Sequence, residues 1–193
     1  MTYTLIGSRT SPFVRRIRML LEHMPYEFKE MNIYDGEEAI ALNRINPINQ
    51  IPVLLDGEKT IWDSRQIFNF LNGVHGFQRL DWKDENLLTA LDRAMDSAVS
   101  LLLMKRSGMK TDEPFMFTVR QKERIDSVLD YLTPFLKDRA LEKWDLHTMT
   151  LYALLDWGRY RDLFNLQQRP ECLAFLKTHE NRPVVTLTAI PKV

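Results

Sequence analysis

Three short stretches carry residues whose type and spacing could do chemistry. Ser11 stands directly before Pro12 and an apolar run at helical spacing, Phe13, Ile17, Leu20, Leu21 and Met24. It therefore reads as a helix N-cap with proline in the first helical position. Asn49, Gln50, Ile51 and Pro52 lead into the apolar run Val53-Leu54-Leu55. A proline has no N–H for a sheet ladder, so Pro52 belongs at the mouth of a strand or on an edge. Asp63 and Ser64 precede the apolar-periodic stretch Arg65 to Leu71. Ser64 reads as a second N-cap, and a helix N-terminus with free N–H groups is an anion site. By residue type alone, bland roles serve all three stretches as well: two plain helix caps and a trans proline opening an edge strand.

Other candidates carry less. Ser8 and Thr10 neighbour Ser11 but fall in a loop, and Tyr3 falls in the first strand. Arg15, Arg16 and Arg18 form a basic cluster on the first helix, where Arg18 can pair with Glu22 at i,i+4. A solvated or ion-paired face is expected for at least two of them, and spacing does not select one that faces a site. His23, His75, His147 and His179 lack metal-ligand spacing and are expected at the surface or at helix ends, so no metal is expected. The single cysteine, Cys172, excludes an intramolecular disulfide, fits a reducing cytoplasm and reads as a packed thiol.

Composition narrows the function classes. Twenty-six basic residues balance twenty-six acidic ones, which gives no support to a nucleic-acid partner. The first residues, MTYTLIGSRTSPF, lack the pattern of a signal peptide, and no apolar run of ~18 residues could span a membrane. With 45% hydrophobic residues the 193-residue chain can form one domain or two small ones.

The elements that must position these residues change in kind along the chain. Tyr3 to Ile6 reads as a strand, Pro12 to Met24 as a helix, Tyr26 to Met31 as a strand and Glu37 to Arg44 as a short helix. Strands at Pro52 to Leu55 and Thr60 to Trp62 flank Asp56-Gly57, a strong hairpin signal. Ser64 to Leu71 is a helix. The order βαβαββα predicts a small mixed sheet with helices on its faces. Asn72-Gly73 and Gly76 then break the pattern, and from Asp84 onward only helices follow. One runs from Asp84 to about Gly108, and a second from about Pro114 to Ala140, with Pro134 expected to end or kink it. Others begin at Thr148 and Pro170. The expected domains are 1–75 and 84–193, joined by a linker at 76–83.

With this organisation in place, the chain resembles the cytosolic glutathione transferases, serine-type and bacterial-like. The likeness covers nearly the whole length. It rests on SPFVRRIRMLL (11–21), NPINQIPVLLDG (46–57), WDSRQIFNFL (62–71), LYALLDWGRYR (151–161) and FLKTHENRP (175–183). It departs from the family at the core helix of the second half. There a Ser/Thr-x-x-Asp cap is usual, whereas Thr148 is followed by Leu151, leaving Thr148 or Thr150 to cap alone. The resemblance implies a thioredoxin-like first domain, an all-helical bundle as the second, and a cytoplasmic homodimer.

The resemblance also assigns roles. It implies a cis bond at Pro52, with the backbone of Ile51 holding the cysteinyl part of glutathione as a minimal added strand. Gln50 would contact the same peptide. Ser64 and the N–H groups beside it would hold the γ-glutamyl carboxylate, and Asp63, one methylene shorter than the usual Glu, would face the ammonium group. Ser11 would activate the thiol. A thiol of pKa ~8.5 is only ~3% ionised at pH 7; lowering it to ~6.5 takes ~2.7 kcal/mol. One charge-assisted hydrogen bond contributes ~1.5–3 kcal/mol, so a single hydroxyl aided by the helix dipole suffices.

The expected activity is conjugation of glutathione thiolate to small apolar electrophiles in detoxification, with glutathione peroxidase activity as a possible addition. Glutathione serves as co-substrate and no other cofactor is expected. Serine rather than cysteine at position 11 favours this over thiol exchange. The alternatives are a non-catalytic binding or regulatory protein of the same fold, and a glutathione-dependent isomerase or dehalogenase.

Overall fold

Two central strands that bury side chains on both of their faces organise the first unit. The computed structural model describes residues 2–34, 36–138 and 141–191. The elements in this unit are β1 (Tyr3–Gly7), α1 (Pro12–Leu20), β2 (Tyr26–Glu30), α2 (Gly36–Ile45), β3 (Val53–Asp56), β4 (Lys59–Trp62) and α3 (Ser64–His75). The strand order is β2-β1-β3-β4. β1 runs parallel to β2 and antiparallel to β3, and β3 runs antiparallel to β4. This is the mixed sheet the residue pattern predicts.

The two-residue period sorts the core onto the two sheet faces. Tyr3, Leu5 and Leu54 pack with Val14, Ile17 and Leu21 of the α1 segment and with Ile67 and Leu71 of α3. Ile6 and Val53 face the other way and meet Met31 and Leu42. Each fully buried aliphatic side chain contributes ~1.5–3 kcal/mol relative to exposure. The hairpin turns on Gly57 and Glu58, between the paired residues Asp56 and Lys59. Gly57 takes φ +60°, which costs glycine no Cβ clash.

The arginines of α1 depart from expectation. Arg15 and Arg16 are each 1% exposed and Arg18 is 8% exposed, so none lies on a solvated face. Their partners come from distant parts of the chain. Arg15 Nη2 donates to the Val185 carbonyl at 3.4 Å and Arg18 Nη2 to the Leu187 carbonyl at 3.2 Å. The Arg18 guanidinium also lies 4.7 Å from the Phe28 ring centroid, where a cation gains from the ring quadrupole. The two carbonyls belong to α8 (Pro183–Leu187), a short helix with no periodic signal long enough to read. The contacts divide the chain into two units, Met1–Arg79 with Arg182–Val193, and Leu80–Asn181. The tail thus belongs with the sheet.

The second unit holds α4 (Trp82–Arg106), α5 (Met116–Lys137), α6 (Leu146–Tyr160), a 3-10 turn (Leu166–Gln168) and α7 (Pro170–His179). Asp81 and Asp84 form a reciprocal capping box at the start of α4. The proposed end of the second helix, Ala140, lies outside the described residues, as do positions 1 and 193. Pro134 sits in the last turn of α5, which continues to Lys137.

The cap of α6 corrects the expectation for Thr148. The N-cap is Asp145, whose Oδ1 accepts the N–H groups of His147 at 3.1 Å and Thr148 at 3.3 Å. The acid precedes the threonine instead of following it. The Thr148 hydroxyl turns back to donate to the Lys143 carbonyl at 2.5 Å. His147 and His179 are 4% and 1% exposed, so these two are core residues instead of surface ones.

Candidate functional site

The sheet register brings the three chemical stretches to one end of the sheet. Ile6 pairs with Val53, and Val53 pairs with Trp62. The chain leaves β1 there toward Ser11, enters β3 there from Ile51 and Pro52, and leaves β4 there into Asp63 and Ser64. Residues 11, 51 and 63 share no local sequence relationship; antiparallel pairing on both sides of β3 gathers them.

Ser11 is the N-cap of α1, with extended backbone (φ −89°, ψ 127°) and proline following it. Its Oγ accepts the Val14 N–H at 3.3 Å. The oxygen serves the helix, which leaves the hydroxyl proton for a further acceptor. The rivals are engaged with each other: Ser8 Oγ and Thr10 Oγ1 are 3.1 Å apart, and the Thr10 N–H donates to Ser8 Oγ at 3.3 Å. Gly7 holds the start of this loop against α1. A Cβ there would lie 2.5 Å from Val14 Cγ2, so the close approach requires glycine.

The Ile51–Pro52 peptide bond is cis. Ile51 lies outside the strand register, which begins at Val53, and among the described residues no hydrogen bond engages its backbone. Gln50 is exposed, and its carbonyl accepts from Asn46 Nδ2 at 2.7 Å. Asn46 is fully buried, and its Oδ1 accepts the Ile48 N–H at 3.1 Å. It therefore props the loop that carries Gln50, Ile51 and Pro52. Sequence reasoning passed over Asn46, although an asparagine directly before Pro47 is a turn signal.

At the third stretch the cap shifts by one residue from expectation. Asp63, not Ser64, is the N-cap of α3, and Ser64 is the first helical residue. Asp63 Oδ1 accepts the N–H groups of Arg65 at 2.8 Å and Gln66 at 3.2 Å. Both residue types cap well, so the pair alone does not choose. Asp63 adopts φ +66°, a conformation Asp tolerates better than most side chains. It is exposed, and no hydrogen bond engages its Oδ2 among the described residues. Ser64 is 1% exposed, and its Oγ accepts from Arg16 Nη2 at 2.5 Å. Among the described residues the Ser64 N–H meets no acceptor, so the start of α3 keeps one of its unsatisfied donors. The arrangement can bind an anion at Ser64 beside a cation at Asp63.

Cys172 stands apart from this chemistry. It is fully buried, and burial pushes its thiol pKa up to about 11. Among the described residues no three His, Cys, Asp or Glu side chains gather as metal ligands, and no helix is long and apolar enough to cross a membrane.

Residues 1–73 match a family model described as the N-terminal domain of glutathione S-transferase. The GST-like protein YibF of Escherichia coli (strain K12), itself uncharacterized, is 30% identical, with 76% of each chain covered. Among solved structures, a glutathione S-transferase from Methylobacterium radiotolerans in complex with glutathione sulfonate superposes with a TM-score of 0.84 at 20% identity. That match covers 100% of this chain and 96% of the other. A glutathione transferase family member from Pseudomonas fluorescens Pf-5 with bound glutathione gives 0.84 at 23% identity, covering 98% and 100%. At these identities the structural likeness is one of fold.

Proposed function

Because the chain belongs to the glutathione S-transferase family, we propose that it is a serine-type glutathione transferase that joins glutathione thiolate to small apolar electrophiles. The observation that carries this reading is the convergence at one end of the sheet of Ser11, Ile51 and the pair Asp63-Ser64. In this reading the unengaged backbone of Ile51 holds the cysteinyl part of the peptide. Gln50 lies on the exposed side of the same loop and contacts it too. The Ser64 N–H and hydroxyl take the γ-glutamyl carboxylate, and Asp63 Oδ2 takes the ammonium group beside it.

Ser11 then donates its hydroxyl proton to the thiol sulfur and stabilises the thiolate. The positive end of α1 adds to the effect. The sulfur attacks the electrophile and the leaving group departs with its electron pair; the thiol proton goes to solvent. Reduction of peroxides by the same thiolate is a second activity of this site, with glutathione as the reductant. The protein acts as a cytoplasmic homodimer with glutathione as its co-substrate.

Calorimetric titration of glutathione into the full chain tests this reading, alongside a conjugation assay with a small chloroaromatic electrophile. Saturable binding, weakened in Ser64→Ala, and glutathione-dependent product formation are expected. A folded wild type that binds no glutathione contradicts it.

A further inference from the structure

We propose that Arg16 is a positioning residue for the carboxylate subsite at Ser64, setting the direction of the serine hydroxyl from beneath the helix. The inference rests on the glutathione reading above and adds a residue to it. Arg15 and Arg18 direct guanidinium nitrogens to the carbonyls of Val185 and Leu187, whereas Arg16 turns to the start of α3. Its Nη2 lies 2.5 Å from Ser64 Oγ, and both residues are 1% exposed. Its guanidinium carbon sits 5.4 Å from the Phe13 ring centroid, which helps hold the plane in place.

The hydrogen-bonding inventory gives the contact a direction. A guanidinium has donors only, so Ser64 Oγ must accept from it. The serine proton then cannot point down toward Arg16 and is left to point away from it. The adjoining Ser64 N–H is also without an acceptor among the described residues. Two donors therefore stand at the same residue, backed by a cation removed from solvent. A donor from a cation polarises the serine hydroxyl more than a neutral donor would, and this strengthens the hydrogen bond the hydroxyl can give to an anion at the helix start. Arg16 does not reach the ligand itself. It acts through Ser64, and a loss of Arg16 frees the hydroxyl to rotate as well as removing the charge.

The test compares two ligands. Glutathione carries the γ-glutamyl α-carboxylate; 4-aminobutyrylcysteinylglycine is the same peptide without it. Both are titrated calorimetrically into wild type, Arg16→Gln, Arg16→Lys, Ser64→Ala and the Arg16→Gln/Ser64→Ala double variant. Arg16→Gln should weaken glutathione about tenfold and leave the decarboxylated peptide within about twofold. In the Ser64→Ala background the same change should cost less than about threefold, because the two residues act as a unit. Arg16→Lys keeps the charge without the planar fork, and should recover part of the preference for glutathione over the decarboxylated peptide. It supplies the comparison if Arg16→Gln does not fold. Equal losses for both ligands, or full additivity in the double variant, overturn the inference and leave Arg16 a core residue. A wild type that takes up neither ligand instead overturns the glutathione reading, and this inference with it.

Discussion

Asp63 Oδ1 stands 2.8 Å from the backbone nitrogen of Arg65, two residues along the chain, so the carboxylate caps its own helix with one oxygen and keeps the other. That division separates two roles that one substitution would confuse. Asparagine caps as well as aspartate and tolerates the positive φ of this position, but it carries no charge. Asp63→Asn should therefore leave the melting temperature nearly unchanged while weakening glutathione about tenfold. Asp63→Ala should lose the affinity and also ~1 kcal/mol of stability. Thermal melts paired with calorimetry check this, and equal affinity in wild type and Asp63→Asn would remove Asp63 from the site.

The helical unit should show its own pH dependence, from His147. The ring Nδ1 lies 3.5 Å from Asp145 Oδ1, and Nε2 lies 3.8 Å from Asp84 Oδ1 and 3.2 Å from the Asp84 carbonyl. Burial alone pulls the ring's pKa down, but the Asp145 hydrogen bond and charge, with Asp84, outweigh it and hold it above the ordinary 6.5. Burial likewise pushes Asp145 up, yet its bonds from His147 and Thr148 leave it below the ordinary 3.8. The histidine's contribution is complete below pH ~6.5 and is lost as pH rises through its higher folded value. The aspartate's is complete above pH ~4 and is lost as pH falls through its lower folded value. Urea midpoints of wild type and His147→Gln should differ most below pH ~6.5 and converge as the pH rises through the ring's raised folded value. A difference that does not change with pH would show that the ring is not charged in the folded state.

How much of this was legible follows from where each signal lies. The βαβαββα order could be read because strand alternation, helical spacing and the Asp56-Gly57 turn are local patterns. The three candidate stretches stand out because helix caps and an X-Pro bond are local signals too. The α3 cap lies at Asp63, one residue before the expected Ser64, because Asp and Ser compete for the role and only the backbone at φ +66° decides. The α6 cap escapes a pattern that looks for the acid after Thr148, because Asp145 precedes the threonine. The burial of Arg15, Arg16 and Arg18 had no local sign. Their partners at positions 185, 64 and 187 lie 170, 48 and 169 residues away. Three arginines on one helix read as a solvated or ion-paired face, whereas contacts from the tail and α3 bury them.

Cys172 should be chemically silent. Its thiol is fully buried with a pKa pushed up to about 11, so well under ~0.1% is thiolate at pH 7.5. An aromatic disulfide reagent should react with it only after unfolding, and Cys172→Ala should keep glutathione-dependent activity. Rapid reaction of the native protein, or a folded Cys172→Ala variant without activity, would mean that the chemistry has been assigned to the wrong residues.

In the proposed function the Ser11 hydroxyl carries the mechanism. Its oxygen accepts the Val14 N–H at 3.3 Å, and its proton is the one assigned to the bound sulfur. Removing it deletes one charge-assisted hydrogen bond of ~1.5–3 kcal/mol, a shift of ~1–2 pKa units in the bound thiol. Ser11→Ala should also lose the cap of α1, roughly 1 kcal/mol of stability, while binding glutathione about as well as wild type. The direct measurement is the ultraviolet thiolate absorbance of bound glutathione, titrated against pH in wild type and in Ser11→Ala. The account predicts a thiol pKa near ~6.5 in wild type and one ~1–2 units higher in the variant. Coincident titration curves in the two proteins would contradict it and leave Ser11 a helix cap.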